Sequence, residues 1–214
     1  SMVLGNYIIR DNGGSIADNF GGIGPILLPM TIAGVGIVAS IIGSFFVKIS
    51  DTAKANVDTV QSALNRGNNI SMLLALAASF GLIKLMLPDT ILMSAFNAGE
   101  FTTLTTSSLN VFFAVCIGMV VGYLISMITE YYTGLGGKPV NDIVQKSATG
   151  AATNIIAGLG TGMLSTALPV IIFAAAIWGA YALAGFYGVG IAASAMMATT
   201  AMQLAVDAFG PIAD

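Results

Sequence analysis

Residues 147–206, SATGAATNIIAGLGTGMLSTALPVIIFAAAIWGAYALAGFYGVGIAASAMMATTAMQLAV, contain no charged side chain over 60 positions. A helix crosses the hydrocarbon core of a bilayer with about 20 apolar residues, so this stretch is long enough for two crossings. Gly185-Phe186-Tyr187-Gly188 is the predicted turn between them, because aromatic rings are enriched at the two membrane interfaces. The stretch therefore predicts a polytopic membrane protein.

Composition extends this prediction to the whole chain. Hydrophobic residues make up 56% of the 214 positions, charged residues only 8%, and the mean hydropathy is +0.90, whereas soluble domains carry about 25% charged residues. The net charge of −3 argues against a nucleic acid partner. The chain has no histidine and one cysteine, Cys116, which excludes imidazole bases, internal disulfides and cysteine-based zinc sites.

Other charge-poor stretches predict three further crossings before residue 147. We expect an all-α, polytopic transmembrane helix bundle that forms one domain over residues 1–214, with about five full spans. The predicted spans are residues 23–47, 68–88, 107–130, 151–184 and 186–206. Residues 2–9 are apolar but too short to cross, so we interpret them as the end of a truncated N-terminal span and the chain as a fragment of a larger protein.

Basic residues predict the orientation, since cytoplasmic loops carry an excess of Lys and Arg. Lys48, Lys54 and Arg66 follow the first full span, and Lys138 and Lys146 follow the third. We therefore expect both loops, and the chain that follows the last span, to face the cytoplasm.

The loop at residues 50–69 has an amphipathic pattern. Ala53, Val57, Val60 and Leu64 recur at three- and four-residue spacing, which predicts a short helix at the membrane surface. A solvated linker is the alternative.

Small residues and single charges in the spans have both structural and functional interpretations. Glycines such as Gly34, Gly36 and Gly118 predict close helix packing, and residues 158–165 are candidates for a dimer interface or a polar path. We expect Lys84 to reach towards the interface, and Glu130 to have a structural role, with a functional one as the alternative.

Two acids end the chain. Asp207 and Asp214 are seven residues apart, which is nearly two helical turns, so on a continuous helix both would face one side. Gly210-Pro211 between them is a candidate kink. Two carboxylates on one face repel each other unless a cation lies nearby, and carboxylate oxygens are ligands that Mg²⁺ prefers. The alternative is that both acids mark a solvated helix end.

The last eight residues, Asp-Ala-Phe-Gly-Pro-Ile-Ala-Asp, closely resemble the Asp-x-Tyr/Phe-Gly-Pro-Ile-x-Asp motif of membrane-embedded, ion-translocating inorganic pyrophosphatases. Thr129-Glu130-Tyr131-Tyr132-Thr133 resembles a second motif of that family. Leu27–Gly36 and Ser147–Ile156 are also similar to family segments, so the resemblance covers essentially the whole chain.

The resemblance implies a homodimeric enzyme that hydrolyses cytoplasmic pyrophosphate with Mg²⁺ and moves H⁺ or Na⁺ outward, with K⁺ or Na⁺ as further possible cofactors. This chain would run from roughly the end of the family's sixth helix to its eleventh, in a prokaryotic cytoplasmic membrane. Asp214 would help to bind Mg²⁺ and pyrophosphate, and Asp207 would line the same site. Other metal- and substrate-binding segments of the family are not in these residues, so we expect the fragment alone to be inactive.

Two other functions fit the pattern of residues. A secondary transporter segment would use Asp207 as a carrier of H⁺ or Na⁺. A non-catalytic membrane scaffold would leave both Asp207 and Asp214 merely solvated.

Overall fold

The computed structural model describes residues 1–47, 57–97, 100–134, 136–198 and 200–204. Within these residues the chain forms six helices and one β-hairpin. The elements are α1 (Met2–Asp11), α2 (Gly24–Ser44), α3 (Val57–Met86), β1 (Thr90–Asn97), β2 (Glu100–Ser107), α4 (Ser108–Thr133), α5 (Lys138–Ser147) and α6 (Ala151–Met196). The predicted all-α membrane bundle is confirmed, and the small hairpin is an addition that the sequence pattern did not indicate.

Four helical stretches of the described chain are long and apolar enough to cross a membrane. They are Gly24–Ser44, Ser62–Met86, Ser108–Ser147 and Ala151–Leu204. This is one fewer than the five spans predicted, because the fourth stretch contains both of the last two predicted spans. Its continuity is broken at Ala184 and Gly185, whose backbone angles are not helical. The exact limits of the membrane spans stay a prediction.

The break in α6 reverses the chain. Gly185 has φ 56° and ψ −150°, a region that is open almost only to glycine. A Cβ on Gly188 would stand 2.5 Å from the carbonyl oxygen of Ala180, whereas residues eight apart on a straight helix are separated by about 12 Å. The rings of Tyr181 and Phe186 pack edge to face across the turn, with centroids 5.2 Å apart. The turn predicted at residues 185–188 therefore exists and starts one residue earlier.

The described residues form two compact units. The first contains residues 1–119 together with the chain after residue 178, and the second contains residues 120–178. All the clustered buried apolar side chains of the described chain lie in the first unit. The second unit holds the end of α4, all of α5 and the first part of α6, and its side chains are largely exposed.

Small side chains bring α2 and α3 together in the first unit. The residues that α3 buries at four-residue spacing are Ser71, Ala75, Ser79 and Ile83, and those of α2 include Gly36, Ala39, Ser40 and Gly43. A Cβ on Gly43 would collide with the side chain of Ser71. Without a hydrophobic driving force in lipid, membrane helices associate through this kind of close packing.

A proline inside α2 frees a carbonyl that a distant tyrosine satisfies. Pro29 has no N–H, so the carbonyl of Pro25, four residues earlier, loses its helical hydrogen bond. The hydroxyl of Tyr187, a residue only 2% exposed, donates to that carbonyl oxygen at 2.8 Å. This bond joins the start of α2 to the reversal in α6.

The helix predicted within residues 50–69 exists in the described part, but it is not a separate element. Residues 48–56 lie outside the described chain, and residues 57–69 are the first turns of α3 rather than a separate surface helix or a linker. The helical spacing of Val57, Val60 and Leu64 continues without a break into the apolar residues 70–86. One continuous helix therefore includes both the amphipathic segment and the span.

The strands of the hairpin occupy residues 90–97 and 100–107. They lie between the predicted spans 68–88 and 107–130, in a region for which the sequence predicted no regular element. Its strands are antiparallel, with Thr90 opposite Ser107 and Asn97 opposite Glu100. Four threonines in β2 explain the strand, because β-branched side chains favour the extended backbone. The side chain of Asn12 pairs with the backbone of Leu92, donating to its carbonyl at 3.0 Å and accepting from its N–H at 3.2 Å.

Close packing at Gly36 predicts a difference between two neighbouring glycines. A Cβ on Gly36 would collide with the carbonyl of Ala198, whereas a Cβ on Gly34 meets open space. We expect Gly36→Ala to lower the free energy of unfolding by about 1–3 kcal/mol. Gly34→Ala, in the same helix, should be neutral or slightly stabilising. Thermal unfolding in detergent, followed by the helical signal, checks both, and equal effects of the two variants would contradict the packing.

The hydrogen bond of Tyr187 predicts a dependence on Pro29. Tyr187→Phe leaves the Pro25 carbonyl without its donor, which should cost about 1–3 kcal/mol of stability. In a Pro29→Ala background the new N–H can serve the same carbonyl, so Tyr187→Phe should cost clearly less. A double-mutant cycle measured by thermal unfolding checks this coupling, and strictly additive effects would show that the two residues do not share the carbonyl.

Candidate functional site

The predicted site residues Asp207 and Asp214 lie outside the described residues. The described chain leads towards them as far as Leu204. The surroundings of residues 198 and 200–204 show which end of the first unit this part of the chain reaches.

Ala198 packs against Gly36 in the middle of α2, and Met202 packs against Gly67 in the first turns of α3. The buried side chain of Met202 lies next to Gly67, where an added Cβ would stand 2.9 Å from its methyl group. Gly67 also adjoins Val47, the last described residue after α2. Arg66 precedes Gly67 directly, so this end carries part of the basic loop that the sequence predicted to be cytoplasmic.

Polar groups at this end of the unit fall into two kinds. The hydroxyls of Ser40 and Ser71 donate to carbonyls of their own helices, Gly36 and Gly67, each at 2.9 Å. The side-chain oxygens of two asparagines in α3 are buried and accept no hydrogen bond from the described residues. They are Asn68 Oδ1 and Asn69 Oδ1. Amide oxygens are acceptors and can also bind hard cations.

Among the residues that the structure describes, no three His, Cys, Asp or Glu side chains come together in a group that could hold a metal ion. The predicted carboxylate site consists of Asp207 and Asp214, which are not among those residues. The metal site therefore stays a prediction from the sequence.

Asp18 organises the opposite end of the first unit. Its carboxylate accepts hydrogen bonds from the backbone N–H groups of Phe20, Gly22 and Gly24, at 2.9, 2.7 and 2.6 Å. Gly24 is the first residue of α2, so a negative charge lies where the helix dipole favours one. The sequence analysis missed this role. An acid before glycines and Pro25 was the available signal, since such residues commonly start helices.

Lys84 also lies at this end, and its ammonium contacts Asp89 at 2.9 Å. Both side chains are substantially exposed, so the pair contributes little to stability. Lys84 lies in the last turn of α3, and its reach towards the membrane interface stays a prediction.

A cavity of about 450 Å³ joins three segments at the Asp18 end. Its lining is Leu4, Tyr7, Ile8, Arg10, Met93, Phe186 and Tyr187. Arg10 lies over the ring of Tyr7, 4.7 Å from the centroid. The structure thus brings α1, β1 and the α6 reversal to one end of the first unit.

The second unit contains two of the other three segments that are similar to the pyrophosphatase family, residues 129–133 and 147–156. Glu130 is half-buried, and the neighbouring rings of Tyr131 and Tyr132 pack edge to face with centroids 5.2 Å apart. Further along, the hydroxyls of Thr149 and Thr153 share a hydrogen bond of 2.7 Å. These contacts are local, and the described residues place no carboxylate pair here.

Glycines 158, 160 and 162 have no neighbour within 4 Å of an added Cβ. Within the described chain they are therefore not a packing surface. Their predicted place in a dimer interface or a polar path stays untested.

Comparison with known proteins gives a consistent result. The family model for inorganic H⁺ pyrophosphatase matches residues 1–214. The chain is 41% identical over 203 residues to a K⁺-insensitive pyrophosphate-energized proton pump of Caldanaerobacter subterraneus subsp. tengcongensis, covering 88% of this chain and 26% of that protein. It is 38% identical over 189 residues to pyrophosphate-energized proton pump 2 of Rhizobium leguminosarum bv. trifolii, covering 88% and 83%.

A third relative is named for a different ion. A putative K⁺-stimulated pyrophosphate-energized sodium pump of Bacteroides thetaiotaomicron is 38% identical over 200 residues, covering 88% of this chain and 24% of that protein. The chain thus spans about a quarter of the length of two of these relatives. The names of these relatives favour neither of the two alternative functions, the secondary transporter and the non-catalytic scaffold. With the membrane helices described above and a family match over every residue, the chain belongs to the inorganic H⁺ pyrophosphatase family.

Proposed function

We propose that these residues form part of a membrane pyrophosphatase that hydrolyses pyrophosphate at the cytoplasmic face and couples this reaction to the outward movement of H⁺ or Na⁺. The observation that carries the proposal is the packing of Ala198 and Met202, which precede the Asp-Ala-Phe-Gly-Pro-Ile-Ala-Asp segment in the sequence. Met202 lies against Gly67, next to Arg66, at the end of the first unit opposite to Asp18. The names of the relatives, which include proton and sodium pumps, support both the reaction and the choice of ions.

The role proposed for Asp207 and Asp214 follows from their charge. Pyrophosphate is a polyanion, so carboxylates at its binding site require a cation between them and the substrate. Carboxylate oxygens fit Mg²⁺, which when bound neutralises charge that develops on phosphoryl oxygens. Asp214 would hold the metal and orient it towards the substrate, and Asp207 would line the same entrance.

The remaining parts of the proposal rest on the sequence and the family. The excess of Lys and Arg in the loops near residues 48–66 and 138–146 supports a cytoplasmic catalytic side. The bacterial relatives support a bacterial cytoplasmic membrane. We further propose a homodimer, and K⁺ or Na⁺ as an additional ion, since one relative is named as K⁺-stimulated.

The orientation predicts which side of the membrane reaches a cysteine label. Single cysteines at Asn56 and Asn141 should react with a membrane-impermeant reagent only from the cytoplasmic side. Cysteines at the exposed residues Ser15 and Thr103 should react only from outside. Ser15 follows α1 and Thr103 lies in β2, and both segments belong to the end of the first unit that is opposite to Arg66. Labelling in sealed right-side-out and inverted vesicles measures both, and reaction of residue 56 from outside would overturn the orientation.

The metal role predicts a large effect of Asp214→Asn in the full-length protein. The amide keeps the shape but loses the charge that holds Mg²⁺, so phosphate release from pyrophosphate should fall by at least about 100-fold. Asp207→Asn should have a milder effect if Asp207 only lines the entrance, and an equal effect if both acids hold one metal. Initial rates across a Mg²⁺ titration measure this.

Glu130→Gln is the control for loss of a carboxylate, because Glu130 lies in the second unit and is proposed to be structural. It should keep turnover within a few-fold of the unaltered protein. Near-normal hydrolysis by Asp214→Asn at saturating Mg²⁺ would refute the metal role and would favour a scaffold function for this segment.

A further inference from the structure

The helix α5, Lys138–Ser147, connects two membrane-spanning helices and buries none of its residues. Its apolar side chains are Val140, Ile143 and Val144, which recur at three- and four-residue spacing and so share one face. Val144 is 60% exposed. Its polar and charged side chains, Lys138, Asn141, Asp142, Gln145 and Lys146, occupy the rest of the surface. The helix is therefore strongly amphipathic, and the described chain leaves its apolar face largely uncovered.

The two neighbouring helices fix the depth at which α5 lies. Only four residues separate it from the end of α4 at Thr133, and three from the start of α6 at Ala151. Connections this short reach at most about 18 Å when fully extended. The edge-to-face pair Tyr131 and Tyr132, at the end of α4, marks the usual level of an interfacial aromatic belt. Both ends of α5 are thus held near the boundary between membrane and water.

Hydrogen bonds stiffen the corner between α5 and α6. The hydroxyl of Thr149 donates to the carbonyl of Lys146 at 2.7 Å and accepts from the hydroxyl of Thr153 at 2.7 Å. Gly150, with φ 132°, makes the bend that lets α6 start. At the other corner, the side-chain amide of Asn141 donates to the carbonyl of Gly136 at 3.0 Å. These bonds give α5 fixed connections at both ends, as a helix that lies along a surface requires.

The charges of α5 fit a negatively charged surface. Lys138 and Lys146 flank the helix, and Asp142 is paired with Lys146 at 2.6 Å. The helix therefore carries a net positive charge, and the unpaired excess is at its start. Anionic lipid headgroups attract basic residues next to membrane helices, and the long lysine stems can follow the apolar surface while their ammonium groups stay in water.

We infer that α5 is a lipid-docking helix, which lies in the membrane plane with Val140, Ile143 and Val144 in the headgroup–acyl boundary and with its lysines on anionic headgroups. This inference is independent of the proposed hydrolysis, because it concerns the second unit and no residue assigned to metal or substrate. Helices of this kind insert about 5–10 Å into the boundary.

Fluorophore quenching in the full-length protein tests the docking. In a background from which Cys116 and any other cysteine have been removed, Val144→Cys and Gln145→Cys each receive an environment-sensitive fluorophore. Both positions are exposed and adjacent, but Gln145 lies towards the opposite face, so it is the matched control. The protein is reconstituted in phosphatidylcholine bilayers, with and without phosphatidylglycerol, and with a lipid that carries a quencher near its headgroup.

We expect blue-shifted emission at residue 144 and at least about twofold stronger quenching there than at residue 145, as shallow insertion of one face requires. Phosphatidylglycerol should increase quenching at residue 144, and Lys138→Gln should remove that increase. A blue shift at residue 144 without lipid quenching would show that protein covers this face, and an unshifted spectrum would show that water does. Either result would overturn the proposal, as would quenching that does not distinguish the two positions.

Discussion

The fold depends on the requirement that every backbone polar group in a membrane finds a partner within the protein. Inside α2, Pro29 leaves the carbonyl of Pro25 without its helical hydrogen-bond donor. The hydroxyl of Tyr187, 162 residues away in the sequence, donates to that carbonyl instead. Because the donor stands directly after the reversal in α6, satisfying one carbonyl also fixes where the last helical segment returns beside the first long one. A proline inside one helix thus determines a contact between residues that are far apart in the sequence.

The close approach of α2, α3 and the end of the described chain follows from that placement. Once α6 has reversed, its continuation passes Gly36 at Ala198 and reaches Gly67 at Met202. Gly36 leaves room for the backbone of Ala198, and Gly67 leaves room for the side chain of Met202. The described segment that precedes the two acids in the sequence is therefore held by packing against two helices.

The sequence predicted those features that depend on composition and on strong local signals. The charge-free residues 147–206 were sufficient to predict membrane helices, and the glycines and aromatic rings at residues 185–188 located the reversal. The hairpin could not be predicted because a short strand pair between two spans has no long periodic pattern. The amphipathic pattern of residues 57–69 does not show whether they form a separate surface helix or the first turns of the span that follows. The pairing of Tyr187 with Pro25 could not be predicted, since neither residue indicates the distant partner.

The side chain of Asn12 has a further consequence for the hairpin. With its amide donating to the Leu92 carbonyl and accepting from the Leu92 N–H, it behaves as a single residue of an additional strand. The free edge of β1 is thereby occupied at its third residue, and a second polypeptide cannot pair with the backbone of Leu92 without displacing Asn12. Exposed strand edges are sites at which proteins aggregate through uncontrolled sheet extension. One carboxamide at the end of α1 thus shortens the strand edge that is open to such pairing.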